Sequence, residues 1–210
     1  MSITIKIDES TLQSVRTALE GIKNGYENAL VTSINKTLTT AKTQATARIG
    51  NELNLSAARI KEDFTIKKAS YSDQSGYLRA TGEPVGLINF GANQTNQGVS
   101  VKVKRSGSRS LLKHAFISTS NKSSTQHIFW RESQGRQPAP VKFFSGVKSK
   151  AAWPKFGKEY RFILERLTGP RIEDIFAHDH VLDPVTIQAN TLFLSNVASK
   201  IDEILRRYNG

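Results

Sequence analysis

Residues 11–68 read TLQSVRTALEGIKNGYENALVTSINKTLTTAKTQATARIGNELNLSAARIKEDFTIKK, and this stretch decides the fold. Its apolar residues fall at Leu12, Val15, Leu19, Ile22, Tyr26, Leu30, Ile34, Leu38, Ala41, Ala45 and Ile49. Steps of three and four residues mark one face of an α-helix. Gln13, Arg16, Glu20, Lys23, Glu27, Lys36, Lys42 and Arg48 lie between them and suit a solvated face. Ser10 is placed to cap the N-terminus, and Asp8 and Glu9 favour the positive end of the helix dipole. Gly50-Asn51 is expected to end the helix as a left-handed cap. An unbroken helix of that length reaches ~60 Å, so a break at Gly21 or Gly25 is expected. A second, shorter helix follows, capped by Ser56 and carrying Ile60 on its apolar face, and Phe64 begins a strand.

The run Ala29-Leu30-Val31-Thr32-Ser33-Ile34-Asn35-Lys36-Thr37 leads into a Thr/Ala/Lys/Gln helix through Arg48. Leu55-Ser56-Ala57-Ala58-Arg59-Ile60-Lys61-Glu62 and the basic strand Thr65-Ile66-Lys67-Lys68-Ala69 come next. That order resembles the minor tail protein Z family of tailed bacteriophages and prophages. Glu165-Arg166-Leu167-Thr168-Gly169-Pro170-Arg171-Ile172 is similar to the family's Gly-Pro turn before its closing segment, with Arg171 where a small residue is usual. The resemblance implies a structural protein that completes the tail at its head-proximal end or in the neck. It also implies a closed ring of its own kind, commonly sixfold, around the DNA channel. Implied partners are a tail terminator, a head–tail connector and, without sequence preference, packaged DNA. The implied location is the virion, with assembly in the host cytoplasm.

At 210 residues the chain is long enough for one domain with a real core. A hydrophobic content of 38% and a mean hydropathy of −0.39 leave it apolar-poor, which favours completing the buried surface by oligomerising. No apolar run approaches the ~20 residues of a membrane helix, and Met1 to Ile7 alternates like a strand and not like a signal peptide. The expectation is a cytoplasmic protein with no membrane partner. There is no cysteine, so disulfides, thiolate catalysis and thiolate zinc sites are excluded.

The net charge is +12, and the whole excess sits in one stretch. Val101 to Arg171 holds sixteen bases against three acids, Glu132, Glu159 and Glu165. Such a stretch points to a polyanionic neighbour, either nucleic acid or an acidic protein surface.

After Phe64 the period changes to two. Strands are expected at Phe64–Lys68, Tyr77–Thr81, Val85–Phe90, Val99–Arg105, His114–Ser118, His127–Glu132 and Tyr160–Leu167. Gly91 to Gly98 reads as a polar connection and Ser106 to Ser110 as a turn. Residues 133–158 hold six Gly and Pro residues, many lysines and little periodicity, and read as an extended basic loop. Phe143, Phe144, Trp153 and Phe156 give that loop sticky points suited to docking on a partner. Arg171 to Phe176 reads as a helical turn. Asp183-Pro184 reads as the cap and first residue of a C-terminal helix that runs to about Arg207.

The whole is α+β: a long N-terminal helix and a C-terminal helix packed on an antiparallel sheet or small open barrel, with a long basic loop. One domain is expected over residues 1–210, with a helical segment at 11–63, sheet at 64–132, loop at 133–158 and strand, turn and helix at 159–210.

Signals for catalysis are weak. His178-Asp179-His180 puts two imidazoles on one face of a strand near Asp183, short of the usual three ligands and supporting shell. His114 and His127 lie beside aromatics and read as packed or surface residues. No nucleophile elbow and no phosphate-binding Gly-Lys-Ser/Thr loop is present. The chain is therefore read as a non-enzyme, with no cofactor and no metal. Lys102, Lys104, Arg105, Arg109 and Lys113 are the candidate contacts to DNA or an acidic partner. Two readings compete with a tail protein: a free-standing, sequence-nonspecific nucleic-acid-binding protein, and, with least support, a hydrolase built on His178 and His180.

Overall fold

The computed structural model describes residues 2–4, 9–119, 125–131, 146–149 and 164–209. The chain divides into two compact units, the first from residues 1–48, 61–81 and 176–210, the second from 49–60 and 82–175.

In the first unit the expected long helix is present and broken where its glycines are. α1 spans Glu9–Ala18 and α2 spans Gly25–Glu52. Between them Gly21 (φ 81°) and Asn24 (φ 57°) take left-handed conformations, which glycine and asparagine tolerate best. Asn24 then accepts the first α2 bond, from the Asn28 N–H at 3.0 Å. The Arg16 guanidinium lies 5.2 Å from the centre of the Tyr26 ring, a cation–π contact across the break. Val15, Leu19, Leu30, Ile34, Leu38, Ala41, Ala45 and Ile49 are all buried, as their spacing requires.

Both ends of the helix differ from expectation. It starts at Glu9, so Ser10 lies inside the first turn, and its carbonyl accepts the Ser14 hydroxyl at 2.9 Å. Gly50 does not cap it. α2 continues to Glu52 because Gly50 stays helical, and a side chain there would meet only Ile60 Cδ1 at 3.6 Å.

β1 (Ser2–Thr4), β2 (Phe64–Lys67) and β3 (Tyr77–Ala80) form an antiparallel sheet in the order β1-β3-β2. Side chains from α2 fasten it. The Asn35 amide bonds both the N–H (2.9 Å) and the carbonyl (3.1 Å) of Ala69, and Lys42 Nζ reaches the Phe64 carbonyl at 2.8 Å. Phe64 meets Phe176 edge to face at 5.0 Å.

α5 spans Asp179–Asn209 and contacts α1. It buries Val181, Val185, Ala189, Phe193, Val197 and Ile204. Asn196 donates to Thr37 of α2 at 3.0 Å. The helix begins before Asp183-Pro184: the His178 carbonyl accepts the Val181 and Leu182 N–H groups, both at 2.9 Å. Pro184 therefore lies inside the second turn, where its missing N–H costs one bond near the helix start. His178 and His180 consequently sit at a helix start and not on a strand.

In the second unit Ser56 caps α3 (Ala57–Glu62), its hydroxyl accepting the Arg59 N–H at 3.3 Å, and Ile60 is buried. β4 (Asn93–Thr95), β5 (Gly98–Val101) and β6 (Ser110–Lys113) make one antiparallel sheet. β7 (Phe116–Thr119), β8 (Gln126–Arg131), β9 (Gly146–Ser149) and β10 (Leu164–Leu167) make another, in the order β7-β8-β10-β9. All pairings are antiparallel, and no closed barrel is formed among the described residues. α4 (Ile172–Phe176) is the expected helical turn.

Four readings are corrected here. Residues 85–90 are not a strand: Gly86 makes a single bridge to Thr168, and Leu87–Asn89 form a 3-10 turn that buries Leu87. Residues 91–98 are not only a connection, because β4 pairs there with β5 through its backbone. The return strand of β5 is β6, and His114 is a turn residue at φ 64°. Gly146–Ser149, read as loop, is strand β9 on the edge of β10, a pairing created by tertiary structure.

Candidate functional site

The candidate basic face lies on β5, β6 and the segment joining them. Val99 and Val101 are buried with Leu112 opposite Val99, so the alternate positions face outward. The register depends on Gly98, which lies opposite Lys113 with φ 148°. A Cβ there would fall 2.0 Å from the Leu112 carbonyl oxygen.

Beyond Val101 the chain stays extended by changing partner. The Lys102 N–H donates to the Phe90 carbonyl at 3.2 Å. The Asn54 N–H then donates to the Val103 carbonyl, and the Arg105 N–H to the Glu52 carbonyl, both at 2.8 Å, around a bridge between Leu53 and Lys104. The basic segment is thus bound by backbone on both sides of each lysine. Lys102 is half-buried, while Lys104, Arg105, Arg109 and Lys113 are exposed.

Arg109 has an internal task. Its Nε donates to Ser100 Oγ at 2.9 Å, and its Nη2 donates to the Ser100 carbonyl at 3.0 Å and to the Gly91 carbonyl. It clamps the 106–109 turn onto β5. The sequence does not point to Gln94 either, yet its amide joins two sheets. Gln94 Oε1 accepts the Ile117 N–H at 2.8 Å, and Nε2 donates to the Gly98 and Thr95 carbonyls, both at 3.1 Å. A polar groove of about 560 Å³ lies beside it, lined by Gln94, Gln97, Lys113 and His114 among others. No periodic signal marks these polar residues; only the pairing of β4 with β5 assembles them.

Of the three acids in the basic stretch, Glu165 accepts the Trp130 Nε1–H at 2.6 Å from the paired position on β8. His127, half-buried on β8, has its pKa lowered by burial and then by the charge of Arg166, which favours the neutral imidazole. It also meets Phe129 edge on at 6.0 Å, and so is a packed histidine. His178 and His180 stack at 5.4 Å. The loop aromatics Phe143, Phe144, Trp153 and Phe156 lie outside the described residues.

Comparison with known proteins gives one result. A search of curated proteins and a search of solved structures find no match. The family model described as prophage minor tail protein Z matches residues 11–207, a span containing α2, α3, α4, nearly all of α1 and α5, every strand except β1, and the whole basic face. The chain belongs to the prophage minor tail protein Z family, and is a structural protein of the phage tail.

Proposed function

We propose that the chain completes the tail at its head-proximal end or in the neck, as a closed ring around the DNA channel, and that it acts without catalysis. The observation that carries this reading is the basic segment Lys102–Lys113, held rigid by backbone pairing in a stretch with three acids against sixteen bases. Lys104, Arg105, Arg109 and Lys113 are its exposed cations, Lys102 is half-buried beside them, and Arg109 also holds the turn in place. A ring repeats that patch once per protomer, so weak contacts add through effective concentration. Phosphates are met without base readout. Neighbours in the tail, such as a terminator or connector, cover the remaining ring surfaces. Among the described residues no helix is long and apolar enough to cross a membrane.

The test is the double variant Lys102→Glu, Lys104→Glu in a phage carrying this gene. Circular dichroism should show a folded protein, tails should assemble, and infectious titre should fall. The isolated wild-type chain should bind DNA weakly and without sequence preference, with a log–log salt slope of about −3 for three phosphate contacts. Normal infection by the double variant overturns the channel reading. Failure of a folded variant to assemble assigns the face to an acidic protein partner. Tight DNA binding by monomers favours a free-standing nucleic-acid-binding protein.

A further inference from the structure

Two tight turns meet at the polar groove of about 560 Å³ beside β4. The first is the loop Asn96-Gln97 between β4 and β5, closed by the pairing of Thr95 with Gly98. The second covers residues 112–115 at the end of β6, closed by the Ala115 N–H donating to the Leu112 carbonyl at 3.2 Å. The His114 N–H donates to the Gln97 carbonyl at 3.1 Å and ties the two turns together. The lining divides by task. Gln94 and Thr95 use their side chains in the frame, both donating to the Gly98 carbonyl, at 3.1 and 2.9 Å. Asn96, Gln97, Lys113 and His114 are exposed, and among the described residues their side chains make no hydrogen bond or ion pair. Among the same residues no carboxylate lines the groove.

His114 holds its turn at φ 64°, in the left-handed region. Glycine fits that slot without strain, and a residue with a β-carbon does not. The backbone alone therefore gives no reason for an imidazole there. What the imidazole adds is an N–H donor at the groove, next in the chain to the Lys113 ammonium. Strain of this kind collects where a side chain is held for a ligand. We propose that the groove seats a backbone phosphate of nucleic acid. Lys113 supplies the charge, and His114, Asn96 and Gln97 supply N–H donors to the phosphate oxygens. The lining suits an oxyanion, because it offers an ammonium and several donors with no competing acid. It favours phosphate over an acidic protein surface. Protein interfaces are built around an apolar core, and among the described residues Ala115 is the one apolar side chain here. Contacts to phosphate come from lysine and from the amides of asparagine and glutamine. The inference rests on the reading that the basic face meets DNA, and it adds to that face a seat for one phosphate and three residues that hold it.

The test measures binding of the purified full chain to a short fluorescent DNA duplex at low salt, by anisotropy. His114→Gly removes the imidazole and suits the left-handed backbone, so the melting temperature should hold while affinity falls roughly threefold to tenfold, the size of one net hydrogen bond. Gln97→Ala leaves the backbone carbonyl that ties the turns and should also weaken binding; it reads the same contact if His114→Gly loses stability. The cysteine-free chain adds a footprint. Alkylation of Asn96→Cys by iodoacetamide, an uncharged reagent, should slow when the duplex is bound, while alkylation of Ala47→Cys, exposed on α2, should not. Wild-type affinity in both His114→Gly and Gln97→Ala overturns the proposal, and so does an Asn96→Cys rate that the duplex leaves unchanged. Equal protection by a poly-glutamate peptide at the same charge concentration overturns it too and assigns the groove to an acidic protein. Binding that Lys102→Glu, Lys104→Glu abolishes and His114→Gly and Gln97→Ala leave intact removes the groove and keeps the DNA reading of the face. A wild-type chain that binds no duplex at low salt removes both.

Discussion

Leu38→Ala tests the reading of the organising helix at a fully buried point of its apolar face. Leu38 is fully buried near the middle of α2. Against its Cδ1 stands the backbone of Gly76, so close that a Cβ on that glycine would fall at 2.8 Å. The site is closed on that side by a chain entering β3, and on the other by the helix itself. Neither surface can collapse readily into the space three lost carbon atoms leave. Leu→Ala changes in cores cost about 2–5 kcal/mol, with the larger values where the cavity persists. The better helix propensity of alanine offsets only a small fraction, on the order of 0.2 kcal/mol. We therefore expect a loss of about 3–4 kcal/mol, which for a chain of this size lowers Tm by roughly 6–16 °C. The measurement is urea unfolding followed by circular dichroism at 222 nm, with Leu194→Ala as control. Leu194 is 52% exposed on α5, and its truncation should stay within about 0.5 kcal/mol. A Leu38→Ala midpoint within error of the Leu194→Ala midpoint refutes the packing argument.

Two further outcomes are expected. Gly98→Ala should destabilise by more than about 1–3 kcal/mol, since it combines a strained φ with a Cβ 2.0 Å from the Leu112 oxygen; amide exchange at Lys113 should lose protection, and full protection refutes it. Asp73 accepts bonds from Lys67 Nζ at 2.7 Å and from the Ser75 hydroxyl and N–H at 2.6 and 3.1 Å, the Lys67 bond being the largest cause that lowers its pKa to about 2. Because the folded pKa lies below the unfolded one, its stabilisation is complete above pH ~4 and is lost as pH falls toward 2. An NMR titration that returns an ordinary carboxylate value for Asp73 refutes that geometry.

The helices were legible because their signal is a sum over many residues. Eight buried apolar residues of the expected N-terminal stripe point the same way, and no single error disturbs them. Boundaries rest on one residue each, and there local rules lost to tertiary structure. Pro184 looked like a first helical residue, yet Val181, one turn earlier on the same buried stripe, shows that the helix had already begun. Gly50 looked like a stop and stays helical beside Ile60. β4 gave no signal at all. Asn93, Gln94 and Thr95 are all exposed, and the strand exists only because β5 offers its backbone.

The same distinction separates what charge can and cannot say about the site. Sixteen bases against three acids make a positive field wherever the residues fold, because a field adds over charges without regard to contacts. Which cation meets a partner is a matter of geometry. Arg109 and Arg105 look equivalent in the sequence, four residues apart around a Gly-Ser turn. In the fold, Arg109 gives three hydrogen bonds to Ser100 and Gly91, while Arg105 is tied through its backbone N–H to Glu52 and leaves its side chain in solvent. Replacing Arg109 would therefore disturb the turn that presents the other cations, and replacing Arg105 would remove a charge from an unchanged scaffold. A variant series on this face separates binding from scaffolding only if it treats those two arginines as different in kind.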